Sequence, residues 1–387
     1  MKIGIDARFF GGEQSKGLGR YTQKLIEHLI QLDQTNHYVL FLPDRELKHW
    51  TKLPDNVTVV RAPYRWYSLA EQIFMPLVIA RQQVDLMHFP HFNVPLFYHR
   101  PFVVTIHDLI ISRFPTERAT TLGPITYKLK QLAYHIVIRH AARSAQHIIT
   151  VSEYSKRDLI DYFKLPPERI SVTYEAVEQF SSPQHTAEQL AATRAQYKLP
   201  EAYLLYVGNA YPHKNLETLL HVMQTLKKTG QLTQHLVCVG KADYFYLRLQ
   251  QQAWALNVDD VVHFPGFVPD KDLAAFYRGA FAFIFPSKYE GFGLPPLEAM
   301  AYDTPVLASN SSCLPEVLGA AALYFDYRDV SGIINQLKRL NTEPNLREKL
   351  IVQGRTQVTT YSWKRMTKET LALYEKLFTK SETGTIT

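Results

Sequence analysis

Phe281-Ala-Phe-Ile-Phe-Pro-Ser-Lys-Tyr-Glu-Gly-Phe-Gly-Leu-Pro-Pro-Leu-Glu-Ala-Met300 decides how the chain is read. Its apolar opening, 281–285, reads as a strand buried on both faces. Gly291 and Gly293 allow a loop, and Pro295 or Pro296 suits the first position of a helix. Strand, loop, helix is the repeating unit of a parallel sheet. Backbone N–H groups at such a helix start point past the carboxyl end of the strand, a place suited to an anion. Two carboxylates flank it, Glu290 in the loop and Glu298, read here as first-turn. Either alone fits ordinary helix chemistry, since an acid offsets the dipole at a helix start.

The same unit recurs along the chain. Strand-like runs are expected at 2–6, 38–42, 57–60, 86–89, 102–106, 147–151 and 170–173, with helical periods between several of them. Leu25, Leu29 and Leu32 form one such stripe, on a helix expected over 21–32. A second series follows at 203–207, 235–239, 261–264, 281–285, 306–308 and 323–325. The fold class is therefore α/β, with two Rossmann-like domains. The expected divisions are a first domain over 1–178, a linker over 179–200 and a second domain over 201–360. A helix over 361–380, with Leu371, Tyr374 and Leu377 as its stripe, would pack back on the first domain, and 381–387 would be a disordered tail.

Composition agrees with a globular two-domain protein. The 387 residues are 46% hydrophobic and 20% charged, with 23 Tyr and 21 Phe to build cores. Two cysteines exclude a disulfide framework and fit a reducing compartment. The start, Met1-Lys-Ile-Gly-Ile-Asp6, turns polar too soon for a signal peptide, and no stretch approaches the ~20 apolar residues of a membrane span. A cytoplasmic protein is expected. The net charge of +7 permits nucleic acid, an anionic membrane or a polyanionic small ligand, and selects none of them.

The sites of chemistry follow from the strand ends. A pyrophosphate would take the N–H groups beyond Gly293, and sugar hydroxyls would take Glu290 and Glu298, so a nucleotide sugar fits where a lone phosphate does not. Val207-Gly-Asn-Ala-Tyr-Pro-His-Lys-Asn-Leu-Glu217 follows the first strand of the second series. Lys214 there stands just before a helix and could meet phosphate oxygens as a point charge. Gly17 and Gly19 follow the first strand of the chain and could let backbone approach a ligand, although Thr22 breaks the dinucleotide fingerprint. His107 ends the run 102–106, where residues line a ligand crevice. No Cys/His cluster has zinc spacing. The stretch 118–152 has no acidic residue. Lys128, His135 and Arg139 fall near one helical face and Ile125, Leu129, Leu132 and Ile136 near another. This is the pattern of a helix resting on an anionic membrane, and also of a surface helix packed on a sheet. Basic and aromatic residues are not interleaved as nucleic-acid binding requires.

These segments resemble the retaining glycosyltransferases of family four, which have the GT-B fold of two Rossmann-like domains facing across a cleft. The likeness is densest in Tyr206-Val-Gly-Asn-Ala-Tyr-Pro-His-Lys-Asn-Leu216, in 290–301, in Thr304-Pro-Val-Leu-Ala-Ser309 and in Leu314-Pro-Glu-Val317. Glutamates eight apart are the family's signature; Gly17-Leu-Gly-Arg-Tyr21 and His107-Asp108-Leu109 also match. The resemblance implies that Glu290 contacts the donor sugar, Glu298 the ribose and Lys214 the diphosphate. Backbone at Gly17 and Gly19, and around Phe292, Gly293 and Leu294, would assist. His107 would touch the sugar, and the base would lie near Gly266, Phe267 and Val268. Many members carry arginine where this chain has Asn209.

The wording of both donor-side segments is most similar to bacterial mannosyltransferases that use GDP-mannose. The expected reaction moves a hexose, mannose from GDP-mannose, to a hydroxyl of a glycan or lipid-linked saccharide, with retention and without metal or cofactor. UDP- or ADP-glucose type donors are the nearest alternative. An epimerase or phosphorylase on the same fold and a non-catalytic membrane or nucleic-acid binding protein are further ones. Partners are expected to be the donor, the acceptor and an anionic membrane touched through Lys128, Lys130 and Arg139, with no nucleic acid. The acceptor would be read by loops 64–71 and 92–100.

Overall fold

The computed structural model describes residues 1–10, 17–48, 50, 52–115, 124–178 and 186–382. The rest of the glycine loop at 11–16, the residues Ser181-Ser-Pro183, the start of the acid-free stretch at 118–123 and the tail from 383 lie outside the described residues. The chain forms two compact units, 1–175 with 362–387, and 176–361.

The first unit is a seven-stranded sheet. Its strands are β1 (Lys2–Asp6), β2 (His37–Leu42), β3 (Val57–Arg61), β4 (Leu86–Phe89), β5 (Phe102–Thr105), β6 (His147–Thr150) and β7 (Ile170–Val172). They lie in the order β3-β2-β1-β4-β5-β6-β7, every neighbour parallel. β4 and β5 are buried at every position, as a sheet covered on both faces demands. The order reverses between β1 and β4, so the loops leaving those strands diverge and open a crevice at their carboxyl ends. Helix Leu18–Leu32 begins three residues before the expected start, because Gly17 takes φ +61° as its N-cap.

Helix Trp363–Glu382 belongs to this unit and packs on Leu18–Leu32. Its buried stripe is Met366, Thr370, Leu373 and Tyr374. Leu371 and Leu377 are only half-buried, so the stripe is turned from the expected one. The Tyr374 hydroxyl, 2.5 Å from His88 Nδ1, fixes the rotation.

The second unit holds β8 (Tyr203–Val207), β9 (His235–Val239), β10 (Val262–Gly266), β11 (Ala282–Phe285), β12 (Val306–Ser309) and β13 (Ala322–Phe325). Their order is β10-β9-β8-β11-β12-β13, again all parallel, with the reversal between β8 and β11. The stretch expected as a linker contains helix Ala187–Gln196, which is part of this unit. Thr186 and Gln189 close a reciprocal capping box at its start. Just past its end, the Tyr197 ring packs on Phe276 and its hydroxyl donates to Asp272 at 2.9 Å. Among the described residues no helix is long and apolar enough to cross a membrane.

Candidate functional site

In the second unit the loops leaving β8 and β11 are tied together. The Lys288 N–H donates to the His213 carbonyl at 2.8 Å, and Lys214 Nζ lies 2.6 Å from Glu290 Oε1. Both side chains of that ion pair are largely buried, at 14% and 9% exposure. The Lys214 ammonium also stands 5.5 Å over the Phe285 ring at the end of β11. Lys214 and Glu290, 76 positions apart, are thus brought into contact by the two strands that flank the reversal.

Glu290 is held by its own backbone. Its N–H donates to Ser312 Oγ at 3.0 Å, and the Cys313 thiol donates to the carbonyls of Glu290 and Phe292. Burial, then the charges of Glu290 and Glu316, push the Cys313 thiol far up, so it stays a neutral donor. Ser312 and Cys313 are site residues that sequence reading missed. His213 is buried, and that burial with Lys214 and Lys288 lowers its pKa to about 3, so it remains uncharged.

The helix after Gly293 starts at Leu294, one residue before the first proline. Pro295 and Pro296 therefore occupy its second and third positions, and two of the four N–H groups that a helix start offers are missing. The helix start thus offers fewer backbone donors than the sequence reading expected there. Gly293 takes φ +94° and a Cβ would stand 2.9 Å from Leu314, so no other residue fits without displacement. Glu298 falls in the second turn, not the first, and accepts from the Tyr277 hydroxyl at 3.1 Å. Offsetting the helix dipole, an effect confined to the first turn, does not account for it.

On the other side of the sheet order, Gly266 ends β10 with φ +82° and its carbonyl accepts from Gly240 N–H. Phe267 is exposed and Val268 is buried. The Asn209 carbonyl accepts from the Tyr206 hydroxyl at 2.7 Å, and its side chain caps Tyr211 N–H at 3.3 Å. The chain's one Asp-x-Asp, Asp270-Lys-Asp272, opens helix Asp270–Gly279 as first-turn acids. Among the described residues no group of three His, Cys, Asp or Glu is placed to hold a metal.

In the first unit His107 follows β5. Its Nδ1 is 3.0 Å from Glu175 and its Nε2 3.1 Å from the Pro90 carbonyl. A carbonyl and an ionised carboxylate only accept, so this geometry favours the protonated ring, in which both nitrogens donate. Burial opposes that charge, but the hydrogen bond and charge of Glu175 outweigh it and raise the pKa above the ordinary histidine value. Glu175 therefore favours the protonated ring of His107. Tyr21 meets its ring edge-on at 4.7 Å, and the His107 carbonyl accepts from Ser155 Oγ. Glu175, 68 positions away, was not legible as its partner.

Beside β1 lies a second buried network. Arg8 pairs with Asp6 and with Glu71, each at 2.6 Å, and Asn93 donates to Glu71 at 2.6 Å. Burial raises the Glu71 pKa, while Arg8 and Asn93 hold it down in part. Phe9 stacks on Trp66 at 3.9 Å, and His91 stands between Phe9 and Phe92. Gly17 caps helix Leu18–Leu32, and Gly19 is buried inside its first turn.

Residues 15–179 match the family model for Glycosyltransferase Family 4, and residues 191–357 that for Glycosyl transferases group 1. The chain is 30% identical to O-antigen chain mannosyltransferase B of Escherichia coli over 376 residues, 93% of this chain and 96% of that one. It is 27% identical to O-antigen chain mannosyltransferase RfbU of Salmonella typhimurium over 283 residues, 73% and 72% of the two chains. Two solved structures share the fold. Sucrose-phosphate synthase from Thermosynechococcus elongatus has TM-score 0.72 and 22% identity, covering 98% of this chain and 99% of that one. WaaG, a glycosyltransferase involved in lipopolysaccharide biosynthesis, has TM-score 0.68 and 15% identity, covering 96% and 98%. With two reversing parallel sheets and full-length likeness to such enzymes, the chain belongs to the family-four glycosyltransferases of GT-B fold.

Proposed function

We propose that this glycosyltransferase moves mannose from GDP-mannose to a hydroxyl of a glycan or lipid-linked saccharide, with retention at the anomeric carbon. The buried contact of Lys214 with Glu290 is the observation that carries the donor side. A cation that meets phosphate and a carboxylate that meets sugar hydroxyls stand next to each other, as the two halves of such a donor do. The mannose assignment is supported by the two mannosyltransferases that the chain resembles over most of its length.

In this reading Lys214 takes the diphosphate, with backbone of Phe292, Gly293 and Leu294 and near Asn209 assisting. Glu290 takes the sugar, Glu298 the ribose, and the backbone of Gly266, Phe267 and Val268 the base. As the sugar–oxygen bond breaks, negative charge gathers on the leaving diphosphate, and Lys214 stabilises it there. The acceptor oxygen forms the new bond and its proton passes to a leaving-phosphate oxygen. The pairing of His107 with Glu175, which favours the protonated ring, supports a binding role for this side chain over service as base. No metal or cofactor enters the scheme. Contact with an anionic membrane through Lys128, Lys130 and Arg139 belongs to the same reading.

Thermal denaturation with GDP, UDP, ADP and their sugars tests the donor. A nucleotide at 100 times its Kd adds about 2.7 kcal/mol to the state that binds it. GDP and GDP-mannose should raise the transition most; a larger rise with UDP or ADP compounds rejects the donor assignment. Nuclear magnetic resonance of the first-formed glycoside reads its anomeric configuration, and an inverted product rejects retention.

A further inference from the structure

Helix Leu69–Gln82 is apolar on both sides. Met75 and Ile79 are buried against the sheet, while Leu69, Ile73 and Leu77 follow one another at i, i+4 and i+8 on the exposed side. A surface helix normally keeps polar residues there. Helix Pro124–Ser144 does the same: Ile138, Ala141 and Ala142 face inward, and Leu129, Leu132 and Ile136 face outward at i, i+3 and i+7. The loop at 92–100 ties the two helices together. Leu96 N–H donates to Gln72 Oε1 on the first helix at 2.7 Å, and Phe92 and His99 meet Tyr134 and His140 on the second. From this loop Phe97 projects with 64% of its surface exposed.

The charge around this apolar surface has one sign. Arg65, Arg81, Arg100, Lys128, Lys130 and Arg139 are all exposed. The single carboxylate within 63–82, 92–100 and 124–144 is Glu71, which is fully buried and paired with Arg8. Clustered apolar residues with exposed cations on the same segments match the apolar boundary and anionic headgroups of a bilayer. A second copy would bring like charges together, and a nucleic acid would leave the aliphatic side chains in water.

We propose that helices Leu69–Gln82 and Pro124–Ser144, with the loop between them, form one docking face for an anionic lipid bilayer, into which Leu69, Ile73, Phe97, Leu129 and Leu132 insert. It extends the proposed contact of the basic helix from a charged helix to an apolar wedge, and it rests on that contact but not on the donor assignment.

Flotation of the full chain with vesicles tests it, comparing phosphatidylcholine alone with phosphatidylcholine containing phosphatidylglycerol. Binding should require phosphatidylglycerol. Lys128→Ser with Lys130→Ser should weaken it roughly fivefold per charge. Ile73→Ser with Phe97→Ser should weaken it roughly tenfold or more, and Phe97→Ser alone by less. The shift in thermal transition caused by GDP should be unchanged in these variants, which separates this proposal from the donor reading. Equal recovery with both vesicle types overturns the proposal, as does full binding by the Ile73/Phe97 variant. So does a dimer in size exclusion that Phe97→Ser alone converts to monomer.

Discussion

Lys214 and Glu290 can be tested as a pair, because the structure separates what they do for stability from what they would do in turnover. Replace Lys214 with Met and Glu290 with Gln, singly and together. At 2.6 Å, opposite charges attract by ~6 kcal/mol at an effective dielectric of about 20. Taking two largely buried charges out of water offsets several kcal/mol of that. A coupling of about 2–3 kcal/mol remains. Each single variant leaves one charge without its partner and should cost about 3 kcal/mol. The double variant leaves none and should cost less than the two singles combined, by the coupling. In thermal denaturation, where 1 kcal/mol is about 2–4 °C for a unit of this size, each single should fall by about 6–12 °C and the double by little more. Turnover behaves differently. Each single should lose about a hundredfold or more, the usual loss when one stabilising group is removed, and the double should recover none of it. Additive stability losses would show that the ion pair is not held in solution. Recovered turnover in the double variant would show that the two residues matter only through folding, and would refute the donor site built on them.

Three further expectations follow from particular contacts. Glu175→Gln removes the group that raises His107 above the ordinary histidine value. Between about 6.5 and that raised value the folded state holds one more proton than the unfolded one, so this stabilisation is full below pH ~6.5, declines as pH rises between the two values and is gone above the raised one. The stability gap between parent and variant should close as pH rises, and a gap constant with pH would count against the imidazolium. His88, His91 and His213 are each lowered to about 3, chiefly by burial, and act in the opposite sense. Their contribution is present above pH ~6.5 and is lost as pH falls towards 3, at roughly 1.4 kcal/mol per pH unit for each. A thermal transition at pH 5 equal to that at pH 7 would contradict their burial as neutral rings. Gly240→Ala places a Cβ 2.2 Å from the Gly208 carbonyl and 2.4 Å from the Tyr246 hydroxyl. The β8 loop must shift, at about 2–3 kcal/mol, and an unchanged urea midpoint would refute that packing.

The sheets were legible because a strand covered on both faces must be apolar throughout, and each of the thirteen runs read as a strand forms one, with only the edge strands β3, β7 and β10 largely half-buried. Element edges were less so. Thr186-Ala-Glu-Gln189 has the spacing of a capping box, yet the polar composition around it reads as a linker. Glu71 shows the converse. Three residues after Ser68, it has the spacing of a capping-box acid, and its Oε2 does accept Tyr67 N–H at 2.7 Å. Its other oxygen turns to Arg8, which local pattern cannot reveal, because a charge that pairs inward and one that faces water look alike in sequence. The same holds for Glu175 beside His107 and for Ser312 and Cys313 beneath the Glu290 loop. In the 281–300 segment the spacing of the glutamates carried the family but not their environments. Glu290 lies in a loop that the Lys214 ammonium, Ser312 and Cys313 close over. Glu298 is the fifth residue of the helix, in its second turn, because the helix starts at Leu294 and not at a proline. At about 100° per residue, that shift of start moves the side chain to another face of the helix register relative to the capping positions. The two carboxylates are therefore not a symmetric pair. One is an ion-paired group whose partner, on the proposed function, would be shared with the donor diphosphate. The other is a half-buried acceptor oriented by the Tyr277 hydroxyl. If the proposed donor roles hold, Glu290→Gln should weaken binding of both the nucleoside diphosphate and its sugar conjugate, through Lys214, in a thermal-shift titration, and equal binding of GDP by variant and parent would refute that coupling.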